Sequence, residues 1–481
     1  MQPLLITGGL IVSMDARRRV IENGSVAVQD GTIVGVGDAA EVAPLVPGAR
    51  VIDATGMAVL PGFIDVHAHA GHGLVKTMGG GNAEAWGRAV QAIYYRGSTP
   101  AFWGAEGALS ALERLMCGVT TGLSIFGSYG YRGDDPAYPE AQIAAYASVG
   151  VRNVIAVGIG RRPFPNSFVR WEGDVATETS ATREEQLAVC ETIIARHHGG
   201  HDGRTMVMLG APLWYPGQAE RDPQLVGMTL EDIAEVRALS RRSGVGFTQD
   251  AHRRGTVRAI HAIGALGPDA LLSHCIDIDA DEIAMIAETG TKVAHNPSAN
   301  YSIRGRCPAI ELMDAGAVVA IASDGTAPDR SYDMFRHMWQ AMHYHRRHFR
   351  DEMVFPPGKA LEMVTIDAAS ALGLAHRIGS IEVGKQADVI LVDLAKPHLY
   401  PPNMPLYRLV CFAVGSDVDT VIVGGKVLME KRRVLSVDPA AVLEAARIET
   451  EKAIARTGLH DLLATPAGFW GGTRYAGSAR A

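Results

Sequence analysis

The sequence predicts an α/β fold: a (β/α)8 TIM barrel with a small β-sandwich domain formed from both chain ends. Three observations point there. An apolar run, Val59-Leu60-Pro61-Gly62-Phe63-Ile64-Asp65-Val66-His67-Ala68-His69, ends in two histidines one residue apart. Strand-like and helix-like stretches then alternate about eight times, the pattern of a parallel barrel. β-rich segments punctuated by turns open the chain and return near its end.

The opening segment carries LLITGGLIVSM, SVAVQDGTIVGVG and ARVIDATGMAV. Asp30-Gly31 between two alternating runs is a hairpin signal. The same texture reappears as ADVILVDL and DTVIVGGKVL, so the two ends are expected to build one small sandwich. The boundaries drawn on this basis are 1–58 for the first part of the sandwich and 59–372 for the barrel. Residues 373–436 form the second part, and 437–481 a C-terminal helix and tail. Barrel strands after the HxH strand are expected at 119–126, 151–159, 206–211, 245–250, 270–274, 292–295 and 318–323. Helices are expected at 184–197, 230–243, 255–263 and 281–289. A chain of 481 residues exceeds one ordinary domain, and a large barrel with a satellite accounts for it.

Bulk composition narrows the function. Hydrophobic content of 47% with 20% charge describes a globular protein with ample core. A net charge of -7 lacks the basic excess of a nucleic-acid binder, so none is expected as partner. The sequence shows neither a signal peptide nor an apolar run of membrane-spanning length, so no membrane partner is expected. Five cysteines, scattered and without a CxxC, read as reduced thiols of a cytoplasmic protein.

The chemistry begins at the HxH strand. Alternate side chains of a strand share a face, so His67 and His69 project together and form half of a transition-metal site. His274 closes Ala270-Leu271-Leu272-Ser273-His274, and Asp324 closes an apolar run from Val318 to Ser323. In a barrel these strand ends converge on the catalytic face. Two imidazoles, a third imidazole and a carboxylate there suit one divalent transition metal, zinc first, with iron, cobalt or manganese as alternatives. A metal in such a site lowers the pKa of a water from about 15.7 toward about 7, which activates it for hydrolysis near neutrality. Asp324 is placed to take the proton.

HAH after PGFID, then SHC, HNPSAN, ASDG and GSIEVGKQADVILVD resemble, in that order, the amidohydrolase superfamily, and within it the triazine hydrolases and heterocycle deaminases. The resemblance covers roughly residues 3–430. It implies that His67, His69 and Asp324 bind the metal, and that His274 binds it or polarises the substrate. It also implies that His295, Asn296 and Asn300 line the pocket, that the substrate is a small molecule, and that the chain self-associates as a homo-oligomer.

Two departures from the family pattern bear on mechanism. The fourth strand, Met206-Val207-Met208-Leu209-Gly210, offers no lysine for carbamylation between two metals, which points to a mononuclear site. The fifth strand of the mononuclear deaminases ends in a histidine ligand with a glutamate three residues later, whereas this chain reads Phe247-Thr248-Gln249-Asp250-Ala251-His252. Gln249, Asp250 and His252 compete for the ligand position. His252 is preferred on ligand chemistry, with Gln249 then a substrate contact. Absence of the proton-shuttling glutamate favours hydrolysis of an amide, urea or carbamate C–N bond, as in phenylurea or thiocarbamate hydrolases, over deamination of a purine, pyrimidine or triazine ring. A non-catalytic scaffold is the remote alternative, opposed by retention of His67, His69, His274 and Asp324.

Among the other residues, Trp214 and Tyr215 just past the fourth strand are expected to wall the pocket. His72 and Lys76 follow the HxH on the first loop and face either the pocket mouth or solvent. His337, His343, His345 and His348 spread around one helix, which reads as a solvated or interface helix rather than a second metal site.

Overall fold

The computed structural model describes residues 2–80, 82–128, 131–211, 213–217, 229–299, 301–466 and 468–471. Eight parallel strands pair in chain order: Phe63–Asp65, Val119–Ile125, Arg152–Gly158, Thr205–Ala211, Gly246–Asp250, Ala270–Ser273, Lys292–His295 and Val319–Ile321. We number them barrel strands 1 to 8. Strands 2 and 3 are buried along their whole length, as expected where helices cover the outer face and side chains fill the interior. At the catalytic end the seam between strands 8 and 1 is closed by the Asp324 N–H, which donates to the His67 carbonyl at 3.0 Å. At the opposite end the Met363 and Val364 carbonyls accept from the Ile321 and Ile64 N–H groups at 3.0 and 2.9 Å.

The expected helices occur as Arg183–His197, Leu230–Arg242, Thr256–Ala262 and Ala280–Thr289. Three begin in reciprocal capping boxes, Thr182 with Glu185, Thr229 with Asp232 and Asp279 with Glu282, which satisfy amides that the first turn leaves unbonded. The helix Met334–Phe349 departs from expectation: one face is buried and carries His337 and His345 into the protein. A two-stranded hairpin, Asn166–Glu172 with Val175–Ala181, follows strand 3 and was not foreseen.

Both chain ends meet in one nine-stranded sheet. Leu4–Val12, Val20–Gln29, Thr32–Asp38, Arg50–Asp53 and Met57–Pro61 come from the start, and Val389–Asp393, Val418–Val423, Lys426–Glu430 and Arg433–Val434 from the end. Met57–Pro61 pairs antiparallel with Val389–Asp393 and stitches the halves together. The sheet has its own core, including Leu4, Ile6, Ile11, Val26, Val389, Leu391 and Ile422. Asp30 and Gly31 both take positive φ (48° and 80°), the geometry of a tight two-residue hairpin. Gly62 is the hinge from sheet to barrel. A Cβ there would lie 2.2 Å from the Thr120 side chain, so only glycine lets strand 1 enter beside strand 2.

The C-terminal helix Pro439–Thr457 packs on Pro100–Met116 of its own barrel. All five cysteines are free thiols. Among the described residues, no helix is long and apolar enough to cross a membrane.

Candidate metal centre

His67 and His69 lie just past strand 1, where the chain stays extended. Ala68 accepts from the Ile125 N–H at 2.7 Å and Ala70 donates to the Ile125 carbonyl at 2.8 Å, which keeps the two imidazoles on one side. His69 Nδ1 pairs with the Gly127 carbonyl at 2.9 Å. That bond makes Nδ1 the protonated nitrogen and leaves the Nε2 lone pair facing the centre. Both ring nitrogens of His67 are buried with no hydrogen-bond partner among the described residues.

His274 and Asp324 leave their strands through left-handed backbone, at φ 69° and 60°. Non-glycine residues held there cost about 1–3 kcal/mol each, and such positions concentrate at functional sites. Asp324 is fixed from below. The neighbouring Ser323 donates its N–H to Asp65 Oδ1 at 3.0 Å and its hydroxyl to Oδ2 at 2.8 Å. Asp65 itself meets Arg114 at 3.0 Å, both side chains fully buried. The Arg114 guanidinium also donates to the Leu123 carbonyl, Ser124 Oγ and Tyr146 OH, and lies 4.2 Å over the Tyr332 ring.

The donor atoms converge in two sets that share His67. Ligand atoms of His67, His69 and Asp324 lie within 4.8 Å of one another, and so do those of His67, Asp250 and His274. Asp324 Oδ1 is 3.3 Å from His69 Nε2, 3.5 Å from His67 Nε2 and 3.9 Å from His274 Nε2. Asp250 Oδ1 is 3.7 Å from His67 Nε2 and accepts the Ser273 hydroxyl. Metal–nitrogen bonds of about 2.0–2.1 Å at tetrahedral angles separate donors by about 3.4 Å, so these spacings fit one divalent ion. The electrostatics agree. Burial pushes Asp324 upward, but Arg330 and the surrounding imidazoles outweigh it and hold the carboxyl well below the usual range. Asp250 is likewise held low against its burial by His67, His252 and His274. Burial drives His274 down to about 4. Two ionised carboxylates beside a neutral imidazole are the protonation state that binds a cation.

The remaining expected residues scatter. Asp250, rather than the preferred His252, reaches the donor sets. Its carboxylate points into the barrel, whereas His252 follows two residues beyond the strand, packs edge-on to His274 at 4.4 Å and stands 3.7 Å from Asp250 Oδ2. Gln249 leaves the opposite face of strand 5 from Asp250 and lies outside the cavity lining. His295 turns away to pair with His345, Nε2 to Nε2 at 3.2 Å. Trp214 packs against the barrel core, while its neighbour Leu213 reaches the cavity. Asn300 lies outside the described residues.

A cavity of about 130 Å³ stands over the centre, lined by His69, Asp250, His252, His274 and Asp324 together with further groups. Those groups are His72 and Trp86 on one wall and Arg161, Arg304 and Arg330 around the rim. His72 takes the pocket-facing one of the two placements the sequence left open. Arg161 and Arg330 lie on loops and Arg304 ends the short helix Tyr301–Arg304, positions that no local pattern marked.

Residues 58–428 match the amidohydrolase family, and the chain belongs to it. Members of that family use a divalent metal. The chain is 29% identical over 453 residues to a 5-methylthioadenosine/S-adenosylhomocysteine deaminase of Pelotomaculum thermopropionicum, covering 93% of this chain and 98% of the relative. It is 28% identical over 479 residues to a 5'-deoxyadenosine deaminase of Methanosarcina acetivorans, covering 95% and 99%. Among solved structures, an adenosine deaminase from Xanthomonas campestris with bound zinc superposes with TM-score 0.80 at 24% identity, covering 94% of this chain and 98% of that one. The zinc complex of atrazine chlorohydrolase from Arthrobacter aurescens TC1 gives 0.77 at 20%, covering 93% and 100%. Both share the fold.

Proposed function

We propose that this chain is a mononuclear metal-dependent aminohydrolase that adds water to a nitrogen-bearing sp2 carbon of an amino-substituted heterocycle of the adenosine type and releases ammonia. The carrying observation is the convergence of His67, His69, His274, Asp250 and Asp324 beneath one cavity. Similarity to adenosine-type deaminases over 93–95% of the chain supports this reaction over amide cleavage, reversing the preference drawn from sequence. His67, His69, His274 and Asp324 would hold the ion, with Asp250 on strand 5 as fifth donor in place of His252. Strand 4, Thr205–Ala211, has no lysine to bridge a second ion.

A divalent ion in this site supplies Lewis acidity that makes a water nucleophilic near neutrality. Asp324, ionised and buried, takes the water proton and passes it to the departing nitrogen. Arg330, whose Nη2 is 3.7 Å from Asp324 Oδ2, keeps that carboxylate charged between turnovers. His274, neutral at physiological pH, would keep its Nε2 lone pair available to the ion beside the reacting carbon. Trp86 and Leu213 shield the reacting carbon from bulk solvent.

One observation favours a second reading. With Asp250 in the ligand position, the third residue onward is Arg253, whose guanidinium lies 4.7 Å over the Tyr215 ring. No carboxylic acid stands there to protonate a ring nitrogen, a demand that an amide, urea or carbamate does not make. The test is a product screen of the zinc-loaded protein on adenosine-type nucleosides, aminotriazines, phenylureas, carbamates and amides. Ammonia from the nucleosides supports the deaminase. Amine from the carbonyl compounds without ammonia from any ring replaces it with the second reading, and zinc binding without turnover of either set overturns both.

A further inference from the structure

His72 lies at the start of a 3₁₀ turn, His72–Val75, on the loop that follows the HxH pair. The residue is 3% exposed, and among the described residues neither ring nitrogen has a hydrogen-bond partner. The imidazole lines the cavity over the metal centre. A buried polar group left without a partner costs about 1–3 kcal/mol, so folding alone gives no reason to place it there.

The placement is built. The ring stacks on His69 with centroids 4.8 Å apart and planes 27° apart, and meets Trp86 edge-on at 5.0 Å. The backbone next to it closes on helix Pro100–Met116: a Cβ at Gly73 would lie 3.1 Å from Ser110 Oγ and 3.4 Å from Oε1 of the fully buried Glu106. Ser110 holds Glu106 Oε1 at 2.5 Å. On the far side Gly325, beside Asp324, leaves room for the ring: a Cβ there would lie 2.5 Å from His72 Nδ1. A glycine at φ 74° and two aromatic rings thus fix an imidazole whose own hydrogen-bonding capacity is unspent.

We propose that His72 is a substrate-contacting residue, hydrogen-bonding a polar ring or carbonyl-type heteroatom of the substrate in the catalytic cavity. This rests on the cavity being the reaction site. An imidazole offers a donor at one nitrogen and an acceptor at the other, so it recognises either partner of an amino or carbonyl group. Binding then supplies the hydrogen bond that folding leaves unmade, and His72 selects for substrates that carry it. A site built to bond a polar group rejects analogues lacking it far more strongly than an apolar wall discriminates by size.

The test compares zinc-loaded wild type with His72→Phe, which keeps the planar ring against His69 and Trp86, and His72→Gln, which keeps a donor and an acceptor. Zinc content, melting temperature and steady-state kinetics are measured on whichever compound of the product screen the wild type turns over. The expectation for H72F is one zinc per chain, a melting temperature raised by about 2 °C or more through removal of an unbonded polar group, and kcat/KM lowered about 10- to 100-fold. H72Q recovers part of the loss in kcat/KM. Loss of zinc in H72F, or a lower melting temperature, overturns the proposal by making His72 a support for His69. Unchanged kinetics overturn it by making the residue packing. The melting and zinc measurements need no substrate, so they judge His72 even if the screen removes the proposed reaction.

Discussion

Removing the charge of Asp65 should unsettle both fold and metal centre, though the residue touches neither solvent nor the cavity. In Asp65→Asn the fully buried Arg114 keeps neutral partners, Leu123 O, Ser124 Oγ and Tyr146 OH, but loses its carboxylate at 3.0 Å. An uncompensated charge left in the interior costs about 3–5 kcal/mol. Arg114→Met leaves the opposite charge stranded, at a similar cost. In the double variant both charges are gone, so the combined loss should fall short of the sum by about 2 kcal/mol or more. Urea denaturation of the four proteins with zinc saturating supplies the cycle. The second readout is zinc affinity by chelator competition, because Asp65 orients Ser323 beside Asp324. Outer partners of metal ligands are worth about 10- to 100-fold in affinity, and D65N should lose that much. Additive costs within about 0.5 kcal/mol, or zinc affinity equal to wild type in D65N, would refute the reasoning.

Chelation should abolish turnover and lower the melting temperature, and one equivalent of zinc should restore both; at a free metal concentration of 100 times Kd the linkage is worth about 2.7 kcal/mol. His345 predicts an acid limb. Burial and the nearby Arg306 hold its folded pKa at about 4, below the unfolded 6.5, so the unfolded chain binds more protons between those values. Stability therefore falls as pH drops from 6.5 to 4, by roughly 3 kcal/mol from this group, and His345→Leu should flatten that limb in a pH series of denaturation curves. An unchanged slope would remove His345 as its origin. Gly325→Ala should lower stability by about 1–2 kcal/mol, since its φ of 74° is left-handed and the new methyl meets His72, and should reduce kcat/KM about tenfold.

Strand ends were the legible part of this sequence. An apolar run that stops at a ligand-type residue leaves two marks, periodicity and chemistry, and they agreed at His69, His274 and Asp324. The hairpin Asn166–Glu172 with Val175–Ala181 left neither. Its outer strand is mostly exposed and polar, so it carries no hydrophobic alternation to read. The preference for His252 over Asp250 weighed ligand chemistry before geometry, whereas Asp250, on the same face of the strand as Thr248, is the residue that reaches the donor sets. The same alternation could have excluded Gln249. His295 meets His345 across 50 positions, and such a pairing depends on how a helix docks, which no local pattern encodes.

The seam between the first and eighth strands has a temporal consequence. Asp65 and Ser323 stand 258 positions apart, and His67 and Asp324 meet across the same junction. A nascent fragment ending before that point can hold His67, Asp250 and His274 but lacks the set completed by Asp324, however well its earlier strands have paired. Metal capture by both donor sets together would therefore report that synthesis has passed residue 324 and that the ring of strands has shut. An ion acquired at this junction arrives last and inspects the finished barrel.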